Sequence, residues 1–304
     1  MGRVGVDLYP EQLGVPLADV ATFRKMLGGS ATNVAVAAAR YGRSSSVITK
    51  VGDDAFGPYI RSALHGFGVD ASRVGTHPTL RTPVVFCEIF PPDHFPLLFY
   101  REPKAPDMTI ALEELDLSAI ARVPLFWTTG TGLSDEPSRT ATLAALEARA
   151  GRPITVHDLD YRPMFWSSEA DAGRFGREAV SHATVVVGGR AEAIPLVGDR
   201  SPASTARALL DFGAKLAIVK LGPEGVLGAT ESEEVVVPPI PVEVVNGLGA
   251  GDAFGGALCH GLLAGWPLEQ TLRFANAAGA LVASRLGCAD DMPTAAEVEE
   301  LLAR

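Results

Sequence analysis

The sequence predicts an α/β fold with a mostly parallel central sheet and a small second sheet, and three observations carry the prediction. From residue 110 onward, strand-like and helix-like runs alternate regularly. Before that, two apolar β-like runs at 82–90 and 96–101 interrupt the alternation. Towards the C-terminus, a β-like Val244-Val245 is joined to a small-residue helix by Asn246-Gly247-Leu248-Gly249-Ala250-Gly251-Asp252, a glycine-rich turn ending on an acid.

The chain has 304 residues, 47% hydrophobic and 20% charged, enough for one large α/β unit with a small appendage. Its net charge of −10 argues against a broad nucleic-acid or membrane-surface footprint. Any phosphate it binds must then be held by local backbone and a few cations, and no nucleic-acid or membrane partner is expected. Cys87, Cys259 and Cys288 are odd in number and lack CxxC spacing, which suits three structural thiols in a reducing compartment. No apolar run reaches the length of a membrane span, and Arg3 and Asp7 stand where a signal peptide needs an apolar core. A cytoplasmic location is the expectation.

In chain order, residues 2–9 read as a strand ended by Pro10. Asp7 lies near its carboxyl end, where open α/β sheets place ligands; the alternative is an acid making a turn before the proline. Gly28-Gly29 precedes a small-residue helix, and the glycine pair lets something approach the backbone closely. Asn33, on the first turn of that helix, offers donors and an acceptor that suit a polyol hydroxyl, although such a residue is also a common helix start. Gly52-Asp53-Asp54 reads as the capped start of a helix through Leu64. The runs 82–90 and 96–101 read as a hairpin across Pro91–Phe95, and with 12–26 they form a small separate sheet, a lid. Arg101 ends the second run, either to clamp an anionic group or to charge an edge strand against aggregation.

Strands follow at 123–129, 153–158, 184–188 and 215–221, separated by helical patterns at 136–150, 168–181 and 202–212. Polar clusters at the strand ends, including Asp158 to Arg162, Arg190 to Glu192 and Lys220 to Gly225, gather at one sheet edge. Residues 250–264 and 268–286 read as helices rich in small residues, with Asn276 a polar exception that is either a satisfied core amide or a base contact. Thr294 and Glu297 form a capping box for a last helix.

The turn before residue 252 leaves the first N–H groups of a helix unpaired, and with the helix dipole behind them they form an anion site. A carboxylate inside such a site makes sense as a base that takes a proton from a nucleophile attacking a bound phosphate; otherwise Asp252 is a helix N-terminal acid. A GxxxxGK[ST] loop, a GxGxxG turn in the first unit, HExxH and Gly-x-Ser-x-Gly are all missing from the sequence.

Two stretches resemble the signatures of the PfkB, ribokinase-like family of sugar kinases: Gly28-Gly29-Ser30-Ala31-Thr32-Asn33 running on to Gly52–Gly57, and Gly249-Ala250-Gly251-Asp252-Ala253-Phe254. The resemblance spans essentially the full chain. It implies a three-layer α/β core with a β-sheet lid formed by about 11–27 and 84–108, ATP and Mg²⁺ as cofactors, and Asp252 as catalytic base beside an anion hole of Gly249, Ala250 and Gly251. It further implies Asp7, Gly28, Gly29 and Asn33 at the sugar, Lys220, Gly222 and Gly225 along the nucleotide, Asn276 near the base, and Glu192 ordering Mg²⁺ through water. Residues 2–10 and 159–166 look like those of the 5-dehydro-2-deoxygluconokinases of inositol breakdown, and less closely like 2-keto-3-deoxygluconate kinases, so Arg101 and Arg162 are expected at a sugar carboxylate. A neutral sugar would not need two guanidiniums. Gly189 replaces the family's Asn in its Asn-x-x-Glu motif, and Asn246-Gly247-Leu248 replaces a common Asp-Thr-Thr, which argues against a monovalent-cation site.

The reading is a kinase for a primary hydroxyl of a small sugar acid. Its alternatives are a neutral-sugar or nucleoside kinase and, from another class, a non-catalytic ligand-binding member. Exposed lid edges lead to the expectation of a homo-oligomer, a dimer through the lid.

Overall fold

The computed structural model describes residues 1–150, 152 and 154–304; Pro153, the first residue of the strand expected at 153–158, lies outside the described residues. The chain divides into two compact units. One comprises Gly2–Asp107, Ile240–Ala264 and Arg273–Arg304, the other Met1, Met108–Pro239 and Gly265–Leu272.

The first unit opens with β1 (Gly5–Pro10), β2 (Phe23–Gly28), α1 (Ser30–Arg40), β3 (Thr49–Gly52), α2 (Phe56–Gly66), β4 (Val74–His77), β5 (Val84–Cys87) and β6 (Leu97–Tyr100). Among the described residues, four of these strands form one sheet in the order β2-β1-β5-β6. β1 runs antiparallel to β2, Gly5 facing Gly28, and parallel to β5, while β5 and β6 make an antiparallel hairpin. Side chains alternate across the sheet. One face buries Tyr9, Met26 and Cys87 with Cys288, and the other carries a row of rings, Phe23, Phe86 and Tyr100, with centroids 5.3 and 5.5 Å apart. Asp7 is therefore mid-strand in a mixed four-stranded sheet, not at the carboxyl end of a strand in an open parallel one. Six consecutive residue pairs with β2 fix that placement, a nonlocal pairing that local pattern does not encode.

The second unit contains α3 (Leu117–Arg122), β7 (Phe126–Thr129), α4 (Ser138–Glu147), β8 (Thr155–Asp158), α5 (Glu169–His182), β9 (Val185–Gly189), α6 (Arg190–Val197), α7 (Pro202–Asp211), β10 (Leu216–Lys220), β11 (Val226–Ala229) and β12 (Glu234–Val237). Among the described residues its sheet has the order β12-β11-β10-β9-β8-β7. β7 to β10 are parallel, and β11 and β12 add an antiparallel hairpin that the alternation alone does not announce. β7 and β8 are buried throughout, as strands covered on both faces must be. Arg149, 1% exposed, is satisfied by Thr155 Oγ1 and by the carbonyls of Ile120, Ala121, Val123 and Ile154, so a buried guanidinium pins the approaches to β7 and β8.

The chain closes with α8 (Ala250–Ala264), α9 (Leu268–Ala283) and α10 (Ala295–Leu302), the last started by the Thr294–Glu297 capping box. α8 packs on α1 at close range: a Cβ on Gly256 would lie 2.3 Å from that of Ala37. Among the described residues no helix is long and apolar enough to cross a membrane.

Candidate active site

In the first unit the candidate chemistry sits where α8 begins. Gly249 has φ +80° and its carbonyl accepts the Ala253 N–H at 2.9 Å, so it closes the first turn of the helix. A side chain there would strike Cys288, since a Cβ would lie 2.4 Å from Sγ. Asn246 is fully buried and holds the turn from the other end: its Nδ2 donates to the Leu286 carbonyl at 2.7 Å, and its Oδ1 accepts the Leu248 N–H at 2.9 Å. The N–H groups of Ala250 and Gly251 therefore leave a fixed turn without intrahelical acceptors, and Asp252 follows within that first turn. This is an oxyanion-binding geometry built from backbone.

Asn33, on the first turn of α1, donates from Nδ2 to Asp252 Oδ2 at 2.8 Å. Its own Oδ1 is buried and has no partner among the described residues. One amide thus fixes one oxygen of the acid and presents an acceptor to an incoming hydroxyl, the arrangement a polyol ligand fits. Gly28 and Gly29 also stand here, but the close approach they permit is made by the chain itself. A Cβ on Gly28 would lie 2.0 Å from Asp7 Oδ1, and one on Gly29, where φ is +103°, would lie 2.5 Å from the Arg3 carbonyl. Gly28 thus seats Asp7 and Gly29 lets α1 start close against Arg3 and Val4.

Burial raises Asp7 from its ordinary 3.8 to about 6, opposed by Arg3 and by the Tyr9 hydroxyl 3.3 Å away, and reinforced by Asp252 and Asp290. The sign of the linkage follows. The native state keeps a proton that the unfolded chain releases near pH 4, so this group's stabilising contribution is complete below pH 4 and lost as pH rises through about 6. The whole effect is about 3 kcal/mol. Urea titrations of wild type and Asp7→Asn at pH 4 and pH 7.5 should show the variant gaining on wild type at the higher pH; a constant gap would refute the buried, proton-holding carboxyl.

Arg101, expected to offer its guanidinium to an anion, is paired with Asp107 at 2.5 and 3.3 Å, with side-chain exposures of 9% and 1%. Asp107 also accepts the Val4 N–H at 3.0 Å. The guanidinium fork is matched to an internal carboxylate in a place sequence spacing could not show.

The second unit gathers polar groups at the carboxyl ends of β8, β9 and β10. Lys220 Nζ lies 3.9 Å from Asp158 Oδ1 and 3.8 Å from Glu192 Oε2, and Glu192 Oε2 also accepts the Gly189 N–H at 2.5 Å. Thr131 Oγ1 donates to Asp160 Oδ2 at 2.6 Å, and Arg162 Nε reaches Asp160 Oδ1 at 3.2 Å. Gly222, at φ +60°, has open space where a Cβ would project, whereas Gly225, at φ +99°, is packed so that a Cβ would lie 2.1 Å from the Val237 carbonyl. Asn276 is half-buried on α9, in the first unit. The polar strand ends are legible in the sequence, but nothing there singles out Thr131, Asp158 and Asp160; their position just past parallel strands is the available signal.

Among the described residues no three His, Cys, Asp or Glu side chains gather as a metal site. Mg²⁺ retains several waters and is held by one or two carboxylates together with phosphate oxygens, so a lone carboxylate is compatible with it. Glu192 fits that role, because Oε2 is engaged by Gly189 and Lys220 while its second oxygen points to no partner among the described residues.

The profile of the pfkB family carbohydrate kinases matches residues 1–295. The chain belongs to this family. A 5-dehydro-2-deoxygluconokinase of Geobacillus kaustophilus is 33% identical over 99% of this chain and 92% of its own length. The structure superposes on a putative Ribokinase II from E. coli with a TM-score of 0.90, at 22% identity and covering 100% and 97% of the two chains, so the fold is ribokinase-like. A fructokinase from Vibrio cholerae O395, solved in fructose, ADP and calcium ion bound form, gives a TM-score of 0.86 at 27% identity over 99% and 97% of the chains. The protein is thus a carbohydrate kinase of ribokinase-like fold, and the non-catalytic alternative falls away.

Proposed function

We propose that this kinase transfers the γ-phosphoryl group of ATP, with Mg²⁺, to a primary hydroxyl of a small sugar acid, and that the acid is 5-dehydro-2-deoxygluconate, phosphorylated at the 6-position. The observation that carries the acid is Arg162, whose guanidinium is held through Nε alone, leaving both terminal nitrogens without a hydrogen bond among the described residues. A planar fork presented in this way matches a carboxylate. The Geobacillus relative's name supports the same substrate. Arg101 contributes to the acid only to the extent that Asp107 releases it.

In the reaction, Asp252 accepts the proton of the sugar hydroxyl as that oxygen attacks phosphorus, and Asn33 keeps its carboxylate oriented. The N–H groups at the start of α8 face the charge that builds on the phosphoryl oxygens. Mg²⁺, when bound, would supply charge neutralisation on the phosphates, and Glu192 would hold it through water. Gly222 and Gly225 would line the nucleotide, Lys220 would meet its phosphates and Asn276 would lie near the base. The Asn246 amide holds the buried end of the turn through the Leu286 carbonyl and the Leu248 N–H.

A panel of 5-dehydro-2-deoxygluconate, 2-keto-3-deoxygluconate, fructose, ribose and adenosine, read by ADP release, tests the assignment. The 5-dehydro acid should lead in kcat/KM by about tenfold or more over the neutral compounds; fructose or ribose turned over as efficiently would favour a neutral-sugar kinase. We assign the lid to the four-stranded sheet, whose outer face exposes Leu98 and Tyr100, and a homodimer contact to that face. Amide exchange in 11–27 and 84–108 that ignores added sugar acid and nucleotide analogue ends the first assignment, and a monomer in sedimentation ends the second.

A further inference from the structure

We infer that Asp160 is a positioning residue that sets the direction of the Arg162 guanidinium, so that the arginine presents its terminal fork and only that edge to the substrate's carboxylate. The inference rests on the sugar-acid reading above and gives it a built specificity element: a buried acid placed behind an anion-binding arginine.

Asp160 is held on every side. Its backbone has φ +30°, and among the described residues it is the one non-glycine residue in the left-handed region, a cost that persists only where surrounding contacts enforce it. Those contacts are present. Thr131, 1% exposed, donates from Oγ1 to Asp160 Oδ2 at 2.6 Å and lies 3.1 Å from the Asp160 carbonyl, while the Asp160 N–H reaches Asp158 Oδ1 at 3.3 Å. Thr131 in turn stands on the tight turn Gly130–Leu133 that follows β7, where Gly130 is so close to the 159 carbonyl that a Cβ would lie 2.0 Å from it. The carboxylate is 3% exposed in residue terms, and its remaining oxygen, Oδ1, meets Arg162 Nε at 3.2 Å.

Arg162 itself is anchored by nothing else of this kind. Its side chain is 39% exposed, the condition in which a long arginine samples many rotamers and loses that freedom on binding. A buried carboxylate beside a site for another carboxylate weakens the local positive potential, so affinity from charge alone does not explain it. Orientation does. Gripping Nε fixes the plane of the guanidinium, leaves the two terminal nitrogens for a bidentate contact, and repels an anion that approaches along the Nε side. Asp160 touches no reacting atom in this scheme; it acts through Arg162.

The test is a double-mutant cycle on the full-length enzyme with 5-dehydro-2-deoxygluconate, ATP and Mg²⁺. Asp160→Gly removes the grip and accepts φ +30° without strain, and Asp160→Asn keeps the side-chain shape while removing the charge, so at least one reports on a folded enzyme. Asp160→Gly should raise KM for the acid by about tenfold and Asp160→Asn by about threefold, with KM for ATP unmoved and kcat changed by less than about threefold. Added to Arg162→Ala, Asp160→Gly should cost nothing further in KM, because there is no guanidinium left to aim. The same multiple in both backgrounds, or a loss confined to kcat, overturns the positioning role and marks Asp160 as a loop anchor. Arg162→Ala raising KM for the acid and for fructose alike overturns the sugar-acid reading, and the inference with it; an acid-selective loss from Arg162→Ala with Asp160→Gly silent overturns the inference alone.

Discussion

Asp252→Asn should lower kcat by about 10²–10⁴-fold while leaving KM for sugar and nucleotide within a few-fold of wild type. Asparagine is nearly isosteric and can still pair with Asn33 after an amide rotation, so the turn from Asn246 to Gly251 and the start of α8 are preserved. What is lost is the capacity to take a proton, needed as the hydroxyl becomes a nucleophile. The helix N–H groups and the metal remain, which is why a residual rate is expected instead of none. Steady-state kinetics with both substrates varied provide the check. A variant keeping more than about a tenth of wild-type kcat would remove Asp252 from the role of base and return it to that of an N-terminal helix acid.

Arg162→Ala should reduce kcat/KM for the sugar acid by about 10- to 150-fold, the range for losing a charge-assisted hydrogen bond of about 1.5–3 kcal/mol. The side chain is 39% exposed, so solvent screening places the result toward the lower end. Arg162→Lys should also weaken the acid, because an ammonium gives a point charge and not two parallel N–H donors. Fructose, with no carboxylate, should lose far less, and the ratio between the two substrates is the informative quantity. Equal losses would mean that Arg162 supports the loop after β8 or binds nucleotide.

Elements that carry local signals are legible in the amino-acid sequence. The turn 246–252, α8, the capping box at 294–297 and the alternation from β7 to β10 follow from glycine placement, cap residues and period, and the structure reproduces them within a few residues. Elements set by distant pairing are not legible in this way. β1 joins β2 and β5 because six and three residue pairs align across the sheet, and no residue of β1 announces its neighbours. The same division applies to the site. Motif and helix position point to Asp252 and Asn33, but not to the 2.8 Å bond that makes one the holder of the other. Arg101 shows another limit: its type and strand-end position are visible in the sequence, but its pairing with Asp107, six residues on, is not. Asp160 stands out in the sequence only as part of a polar run, since neither its left-handed φ nor its bond to Thr131 leaves a mark there.

The seam between α1 and α8 constrains how such an enzyme can change over evolutionary time. Gly256 and Ala37 bring the two helices so close that even a methyl group at 256 would sit 2.3 Å from its neighbour, and the helices carry Asn33 and Asp252 at their amino ends. Any mutation that spread these helices would also pull the amide off the acid. On the proposed mechanism, variants with altered substrate range should therefore keep the small residues along this seam small and the pairing of Asn33 with Asp252 intact, and take up their changes elsewhere in the chain.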